Sequence, residues 1–178
     1  MATRVAVFGS SEAVPGERAW EDAERTGALL AAAGYEVVNG GYGGVMEACS
    51  RGASEAGGRA IGVTCTEFGR GKGNRWLAED HPEDNLFDRT RSLIEISEAY
   101  IILPGRAGTL AELAFLWALH RGGILRGAPV VLLGAWWDGL VDDLLSRGLL
   151  ERSQADATSH AATPEEAVSI VREQVIPR

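Results

Sequence analysis

The stretch AYIILPGRAGTLAE, residues 99–112, contains the pattern that decides the fold of this chain. Its first five residues form an uninterrupted apolar run, which is typical of a strand buried on both faces of a parallel sheet. A Pro-Gly pair ends the run, and a second glycine precedes a helical pattern that starts at Thr109. A strand, a glycine-rich turn and a helix in this order form the repeating unit of a doubly wound α/β sheet.

The same alternation continues through the whole chain. Apolar runs predict strands at 4–9, 35–39, 60–65, 99–103 and 129–133, with a weaker one at 159–162. Helical patterns cover 19–33, 45–56, 85–97, 109–120 and 137–147, and a last helix starts after Thr163. Because no linker or internal repeat divides the 178 residues, we predict one Rossmann-like domain over 1–178, with helices on both faces of a parallel sheet. The acidic run 79–84 is predicted to be a solvated loop, and Trp136 and Trp137 to start a helix.

Composition excludes several classes of partner. The net charge is −8 and no block of lysine and arginine stands out, which disfavours nucleic acid as the main partner. No apolar stretch is long enough to span a bilayer, and the N-terminal apolar run is too short for a signal peptide, so we expect a cytoplasmic protein with no membrane contact. Cys49 and Cys65 lie in no CxxC pattern and near no histidine, so we expect two buried, reduced thiols and no metal site.

Three predicted strands end in unusual loops. Gly9-Ser10-Ser11 follows the first, Asn39 and the run GGYGG (40–44) follow the second, and PGRAG (104–108) follows the fourth. Ligands of such sheets bind at the carboxyl ends of the strands, and glycine lets backbone N–H groups approach an anion closely. We therefore predict a phosphate or nucleotide site. Neither GxGxxG nor GxxxxGK[ST] occurs, so the loops carry no standard dinucleotide fingerprint, and a P-loop kinase or ATPase is not expected.

Thr109 and Glu112 have two interpretations. Thr-Leu-Ala-Glu matches a capping box, in which Thr109 is the N-cap and Glu112 reaches back to its backbone N–H. Alternatively, Glu112 lies beside the anion-binding end of the helix, where its carboxylate acts on a sugar whose phosphate the loop holds.

Five features in order along the chain resemble the LOG (Lonely Guy) family, long mislabelled as lysine decarboxylases. They are FGSS (8–11), GGYGGVM (40–46), AIGV (60–63), Arg89 and PGRAGTLAE (104–112). The resemblance implies a Rossmann-like homodimer that hydrolyses the N-glycosidic bond of nucleoside 5′-monophosphates without a cofactor. The substrates in plants and many bacteria are cytokinin riboside 5′-monophosphates, and the products are the free base and ribose 5-phosphate.

The resemblance also assigns roles to residues. Glu112 and Arg89 match the family's catalytic residues. The predicted substrate and phosphate contacts are Gly9, Ser10, Gly40, Gly41, Gly43, Gly44, Met46, Pro104, Gly105, Arg106, Ala107, Gly108 and Thr109. A decarboxylase that uses pyridoxal phosphate is not expected, because the single lysine, Lys72, lies in an Arg/Gly loop rather than in a pocket.

Three positions depart from the family pattern. Arg106 replaces the second glycine of PGG, Asn39 replaces the first glycine of GGG, and Thr90 replaces a lysine, with Arg91 one place further on. Arg106 adds a guanidinium to the phosphate site or points to solvent. These departures leave two alternatives open: a nucleotide-binding or sensing module without chemistry, and a carrier of a phosphorylated cofactor such as molybdenum cofactor.

Overall fold

A single sheet of seven parallel strands forms the centre of the molecule, as the computed structural model shows for residues 2–125 and 127–175. The strands are β1 (Arg4–Phe8), β2 (Glu36–Asn39), β3 (Ala60–Cys65), β4 (Glu79–Glu83), β5 (Ala99–Ile102), β6 (Val130–Leu133) and β7 (Thr158–Ala161). Their spatial order is β4-β3-β2-β1-β5-β6-β7. The predicted doubly wound α/β sheet is confirmed.

The strand order reverses at β1, which pairs in parallel with β2 on one side and with β5 on the other. Phe8 and Ile102, the last residues of β1 and β5, are paired, and β2 ends one residue earlier, so the three strands end at nearly the same level. The chain leaves β1 and β5 towards opposite faces, and a crevice opens between their carboxyl ends. Ligands of open α/β sheets bind in such a crevice.

Within the described residues, seven helices cover the two faces of the sheet. They are α1 (Arg18–Ala32), α2 (Val45–Glu55), α3 (Leu86–Glu95), α4 (Ala107–Arg121), α5 (Leu140–Ser146), α6 (Arg152–Asp156) and α7 (Pro164–Gln174). The signals for the last helix are confirmed: the Thr163 hydroxyl accepts a hydrogen bond from the Glu166 N–H at 3.2 Å, and Pro164 occupies the first helical position.

The strands send alternate residues to two separate cores. Val5 and Val7 pack with α1, α2 and α7, whereas Ala6 and Phe8 pack with α3, α4 and α5. All four side chains are buried, which explains why the strands appear in the sequence as continuous apolar runs. Cys49 and Cys65 are free, buried thiols, as expected.

Helices α1 and α2 cross at backbone distance through two glycines. A Cβ atom on Gly27 would lie 2.0 Å from the Cys49 carbonyl oxygen, and one on Gly52 would lie 1.9 Å from the Glu24 carbonyl oxygen. Any larger residue at either position would therefore push the two helices apart.

Two predicted segments have a different structure. The acidic run 79–84 is not a loop: it contains β4, which pairs in parallel with β3. An edge strand tolerates charges and a proline because one side of its backbone faces solvent, and Asp80 also accepts hydrogen bonds from the Thr64 hydroxyl and the Gly73 N–H. Trp136 and Trp137 form a 3₁₀ turn (Ala135–Trp137), and α5 begins only after Gly139, whose φ is +77°.

None of the helices in the described part of the chain is both long enough and apolar enough to cross a membrane.

Candidate active-site cleft

A cleft of about 500 Å³ opens at the carboxyl ends of β1, β2 and β5. It is lined by the loops after these strands, by the segment after β3, by one face of α3 and by the first three turns of α4. Of the residues predicted to form the site, the cleft brings together Gly9, Ser10, Gly40, Met46, Arg89, Arg106, Gly108, Thr109 and Glu112. Residues far apart in the sequence therefore share one cavity.

Backbone hydrogen bonds join the three loops into one unit. The Ser10 N–H donates to the Pro104 carbonyl at 3.0 Å, and the Ser10 carbonyl accepts from the Val45 N–H at 2.9 Å. The loop after β1 is thus bonded to the loop after β5 and to the start of α2. A fixed backbone of this kind places the polar groups of the cleft before any ligand arrives.

The loop after β2 is packed against the protein's own atoms. Gly44 has a φ of +69°, and a Cβ atom there would lie 2.3 Å from the Ser10 carbonyl oxygen. A Cβ on Gly40 would lie 1.7 Å from a terminal nitrogen of Arg89. These glycines make room for a neighbouring backbone and for a guanidinium, and we call residues 40–44 the closed loop.

Asn39 and Thr90, two of the departures from the family pattern, have intramolecular hydrogen bonds. The Asn39 amide nitrogen donates to the Met46 carbonyl at 3.2 Å and to the Ser50 hydroxyl at 2.9 Å, and its oxygen accepts from the Gly41 N–H at 2.9 Å. Asn39 therefore fastens the closed loop to α2. The Thr90 hydroxyl donates to the Leu86 carbonyl one turn earlier in α3 at 2.9 Å.

The loop after β5 leaves space in front of it. Helix α4 begins at Ala107, with Arg106 as its N-cap residue. A Cβ atom on Gly108 would meet nothing within 4 Å, in contrast to the glycines of the closed loop. The N–H groups of the first helical turn carry the positive end of the helix dipole, so this end of the cleft suits an anion. We call residues 104–108 the open loop.

The capping-box interpretation of Thr109 and Glu112 is wrong. Thr109 is the third residue of α4 and is buried, with its side chain against Gly105, so it cannot be the N-cap. The helix starts two residues earlier than predicted because Ala107 and Gly108 already adopt helical geometry. Glu112 consequently lies in the second turn, where its side chain lines the cleft.

Glu112 is a largely buried carboxyl at the base of the cleft. Only 16% of its side chain is exposed. Burial raises the pKa of Glu112 from its ordinary value of 4.5 to about 7, and the nearby positive charge of Arg89 opposes this rise. Near neutral pH, the group therefore exists in both its ionised and its protonated form, which suits acid–base work.

Arg89 is fixed beneath the closed loop. Its Nε donates to the Val63 carbonyl at 2.8 Å, and a terminal nitrogen donates to the Gly40 carbonyl at 3.2 Å. The other terminal nitrogen lies 4.0 Å from a Glu112 carboxylate oxygen. The backbone thus holds the guanidinium from one side and leaves it facing the carboxylate on the other. Arg89 is buried, so its guanidinium is not a solvated charge on the surface of α3.

An aromatic wall contributes residues that the sequence analysis did not identify. Tyr42 and Phe68 lie with ring centroids 6.1 Å apart, and the Arg89 guanidinium lies 5.9 and 5.6 Å from those two centroids. Phe87 from α3 and Phe115 from α4 also line the cleft, although 79% and 48% of their surfaces are exposed. The position of Tyr42 inside the glycine run was a usable signal, whereas Phe68 comes from a loop with no motif.

Several predicted contacts do not line the cleft: Gly41, Gly43, Gly44, Pro104, Gly105 and Ala107. Their neighbours explain why. Gly41 faces Thr64, Pro104 accepts the hydrogen bond from Ser10, and Gly105 leaves room for the Thr109 side chain. Ala107, at the exposed start of α4, precedes the two residues of that turn that do reach the cavity. These residues shape the loops rather than the cavity surface.

No group of three histidine, cysteine, aspartate or glutamate residues that could hold a metal ion occurs within residues 2–125 and 127–175.

Comparison with known proteins places this site in a family. The sequence profile of the SLOG cluster4 family matches residues 2–168. A Mycobacterium marinum protein named cytokinin riboside 5′-monophosphate phosphoribohydrolase is 32% identical over 145 residues, which are 75% of this chain and 74% of that protein.

Two solved structures share the whole fold. The X-ray structure of TM1055, from a structural genomics consortium, has a TM-score of 0.78 and 30% identity, covering 96% of this chain and 99% of that one. The molybdenum cofactor carrier protein of Chlamydomonas reinhardtii has a TM-score of 0.75 and 25% identity, covering 98% of each chain.

The profile match includes all three loops, Arg89 and Glu112, so the family relationship extends over the entire cleft. It confirms the resemblance to the LOG family that the motifs indicated. The chain belongs to the SLOG cluster4 family.

Proposed function

We propose that the protein is a phosphoribohydrolase that cleaves the N-glycosidic bond of nucleoside 5′-monophosphates, such as AMP or a cytokinin riboside 5′-monophosphate. The observation that carries this proposal is the largely buried Glu112 carboxyl, 4.0 Å from the fixed guanidinium of Arg89 and on the same helix as the open loop. A carboxylate and the N-terminal end of a helix therefore face one cavity, which supports cleavage of a phosphorylated ribosyl bond.

The chemistry requires a negative charge near the sugar. Breaking the bond between C1′ and the base nitrogen leaves positive charge on the ribose ring in the transition state. The ionised Glu112 stabilises that charge and accepts a proton from the attacking water. The water oxygen bonds to C1′, and the base leaves with the bonding electron pair. The proton that Glu112 accepted from water passes to the base, and ribose 5-phosphate remains.

Arg89 positions Glu112 and favours its ionised form. Without this guanidinium, only burial would act on the carboxyl, and its pKa would be higher. Since two backbone carbonyls already hold the guanidinium, it keeps a fixed orientation towards the carboxylate.

The two ends of the substrate meet different surfaces. Under this proposal, the phosphate lies at the N-terminus of α4, beside Gly108 and Thr109, where N–H groups and the helix dipole favour an anion. The base lies against the aromatic side chains of Phe87 and Phe115, which offer flat apolar surface. The name of the Mycobacterium relative supports this class of substrate.

A second candidate is a carrier for a phosphorylated cofactor. It is favoured by the structural likeness to the Chlamydomonas molybdenum cofactor carrier protein. A carrier needs the open loop and the cavity, but it has no need of a carboxyl whose pKa lies near 7. We therefore place hydrolysis first.

The deciding experiment is incubation with a panel of nucleoside 5′-monophosphates and the matching nucleosides, with released base measured by chromatography. We expect release from at least one monophosphate and much slower release from its nucleoside. Glu112→Gln protein, checked for its fold, serves as the inactive control. Binding without release of base from any compound would contradict the hydrolase and favour the carrier.

We also propose that the protein is a homodimer, with a second copy covering the exposed apolar faces of α3 and α4. Phe87, Phe115 and Ile124 expose 79%, 48% and 69% of their surfaces around a groove of about 760 Å³. Phe87 and Phe115 line both this groove and the cleft, so the second copy would complete the wall beside the base. Contiguous apolar surface of this kind marks interfaces, and the LOG resemblance implies a dimer.

Light scattering tests the dimer. The wild-type protein should have twice the 18.9 kDa chain mass. Ile124→Glu should shift it towards the monomer, whereas Leu149→Glu, at an equally exposed leucine outside the groove, should not. A monomeric wild-type protein at micromolar concentration would refute this assembly.

A further inference from the structure

An ion pair crosses the mouth of the cleft between Arg106 and Glu12. The two terminal nitrogens of the Arg106 guanidinium, Nη1 and Nη2, lie 2.9 and 2.8 Å from the two carboxylate oxygens of Glu12. Arg106 belongs to the open loop, and Glu12 belongs to the segment that follows β1. Both side chains line the cleft. The pair thus joins two loops that meet at the predicted phosphate end.

The geometry of this pair is the one that an arginine uses to bind a phosphate. The planar guanidinium presents parallel N–H groups, which bind two oxygens of a carboxylate or of a phosphate in the same way. Arg106 is the N-cap residue of α4, so its backbone adjoins the N–H groups that favour an anion. In the structure, the two carboxylate oxygens of Glu12 occupy this guanidinium.

The exposure of this ion pair suits a change of partner by Arg106 better than a structural link between the two loops. Arg106 and Glu12 expose 78% and 59% of their side chains. Exposed ion pairs add little net stability because water screens them and both side chains lose freedom. The two loops are in any case already joined by the backbone hydrogen bond from Ser10 to Pro104.

We propose that Glu12 is an internal competitor for the ligand's phosphate, and that Arg106 changes partner from Glu12 to that phosphate when the ligand binds. This inference rests on the proposed function for the nature of the ligand, a phosphorylated ribose. It makes Arg106 a residue that determines specificity for the phosphate, and Glu12 a residue that weakens binding of any ligand at this end of the cleft.

Calorimetric titration with ribose 5-phosphate, and with ribose as the ligand without phosphate, tests the exchange. Ribose 5-phosphate has no N-glycosidic bond, so its binding is measured without any catalysis. Glu12→Gln should bind it about two- to fivefold more tightly, because an exposed competing ion pair is removed. Arg106→Gln should bind it at least about tenfold more weakly, since charge-assisted hydrogen bonds are lost. Arg106→Lys, which keeps the charge without the paired N–H groups, should fall between Arg106→Gln and the wild type.

Matched controls come from a second exposed ion pair on the same helix. Arg121, at the far end of α4, lies 2.8 Å from Glu151, and their exposures of 67% and 54% resemble those of the first pair. Arg121→Gln and Glu151→Gln change the net charge in the same way but lie outside the cleft, so binding should stay unchanged. The unfolding temperature of each variant shows whether the fold is intact.

Unchanged affinity of Glu12→Gln or of Arg106→Gln for ribose 5-phosphate would overturn the inference, as would binding to none of the proteins. These outcomes are separate from the fate of the hydrolase. If the affinities follow the expected order but no base is ever released, the exchange stands and the proposed reaction fails. If base is released while all variants bind equally, the reaction stands and the exchange fails.

Discussion

The closed loop after β2 and the open loop after β5 both place several glycines at the start of a helix, yet their glycines meet different neighbours. In the closed loop, a Cβ on Gly44 would lie 2.3 Å from the backbone of the loop after β1, and one on Gly40 would meet the Arg89 guanidinium. In the open loop, a Cβ on Gly108 would have free space around it.

The difference separates two uses of glycine that look the same in a sequence. The closed loop is shaped by contacts within the protein: it holds Arg89 through the Gly40 carbonyl and admits the backbone of Ser10. In the open loop, Gly105 makes room for the Thr109 side chain, but Gly108 leaves free space beside the cleft. The loop leads into the helix that carries Glu112. We therefore expect substitutions in the closed loop to change mainly the stability of the fold. Substitutions at Gly108 and in the helix that follows should change mainly ligand binding and activity.

The largest effect is expected for Glu112→Gln, on the helix of the open loop. Turnover of nucleoside monophosphates should fall roughly 10²- to 10⁴-fold, because the variant keeps the size of the side chain but loses the proton-accepting carboxylate. Steady-state kinetics measure this, and circular dichroism should show an unchanged fold. If the variant hydrolysed nucleoside monophosphates at the wild-type rate, Glu112 would have no part in the reaction.

Gly44→Ala should be the most damaging of the glycine substitutions. The unfolding free energy should fall by about 3 kcal/mol, since alanine meets both an unfavourable positive φ and the backbone of Ser10. Chemical denaturation measures the change. If the loss were below about 1 kcal/mol, the closed loop would not be shaped by its own contacts.

The pH dependence of stability should reveal the cost of the buried carboxyl. The folded protein holds the Glu112 proton more tightly than the unfolded chain, because the pKa is raised from 4.5 to about 7. The resulting stabilisation is complete below pH 4.5 and is lost as the pH rises through 7. Between pH 4.5 and 8, wild type should lose up to about 3 kcal/mol relative to Glu112→Gln. Chemical denaturation at each pH measures the unfolding free energy of both proteins. A difference between them that stays constant across this pH range would contradict the raised pKa.

The smallest effect is expected for Gly108→Ala. The new methyl group has free space, and alanine favours the helix over glycine, so stability should rise by no more than about 1 kcal/mol. Binding of ribose 5-phosphate should weaken nonetheless, because the methyl group enters the cleft. A destabilisation comparable to that of Gly44→Ala would abolish the distinction between the two loops.

Much of the fold could be predicted because each central strand is buried on both faces and some helices have clear end signals, such as Gly34 after α1 and Thr163-Pro164 before α7. The acidic β4 could not, since an edge strand has neither a continuous apolar run nor an alternating one. The start of α4 was misplaced because Thr109 and Glu112 fit a capping box in sequence, whereas the helix already includes Ala107 and Gly108.

For the site, the sequence motifs and the family resemblance pointed to Arg89 and Glu112. The structure shows that both residues line one cleft. The motifs did not reveal that Asn39 would form hydrogen bonds with α2, because this contact depends on the local direction of the backbone. They also did not reveal that Arg106 would face Glu12, because these residues are distant along the chain. The aromatic residues Phe68 and Phe87 were missed for a related reason: exposed aromatic side chains carry no periodic signal.

The crossing of α1 and α2 through Gly27 and Gly52 has a consequence for motion in this protein. Because the two backbones touch, neither helix can slide or tilt without the other, and α2 begins directly after the closed loop. The β2 side of the cleft therefore behaves as a rigid body that includes Arg89's carbonyl partner Gly40. Helix α3 is joined to this body, because Arg89 donates hydrogen bonds to the Gly40 and Val63 carbonyls. Any closing movement around a bound ligand must therefore come from exposed side chains of the cleft, such as the rings of Phe87 and Phe115.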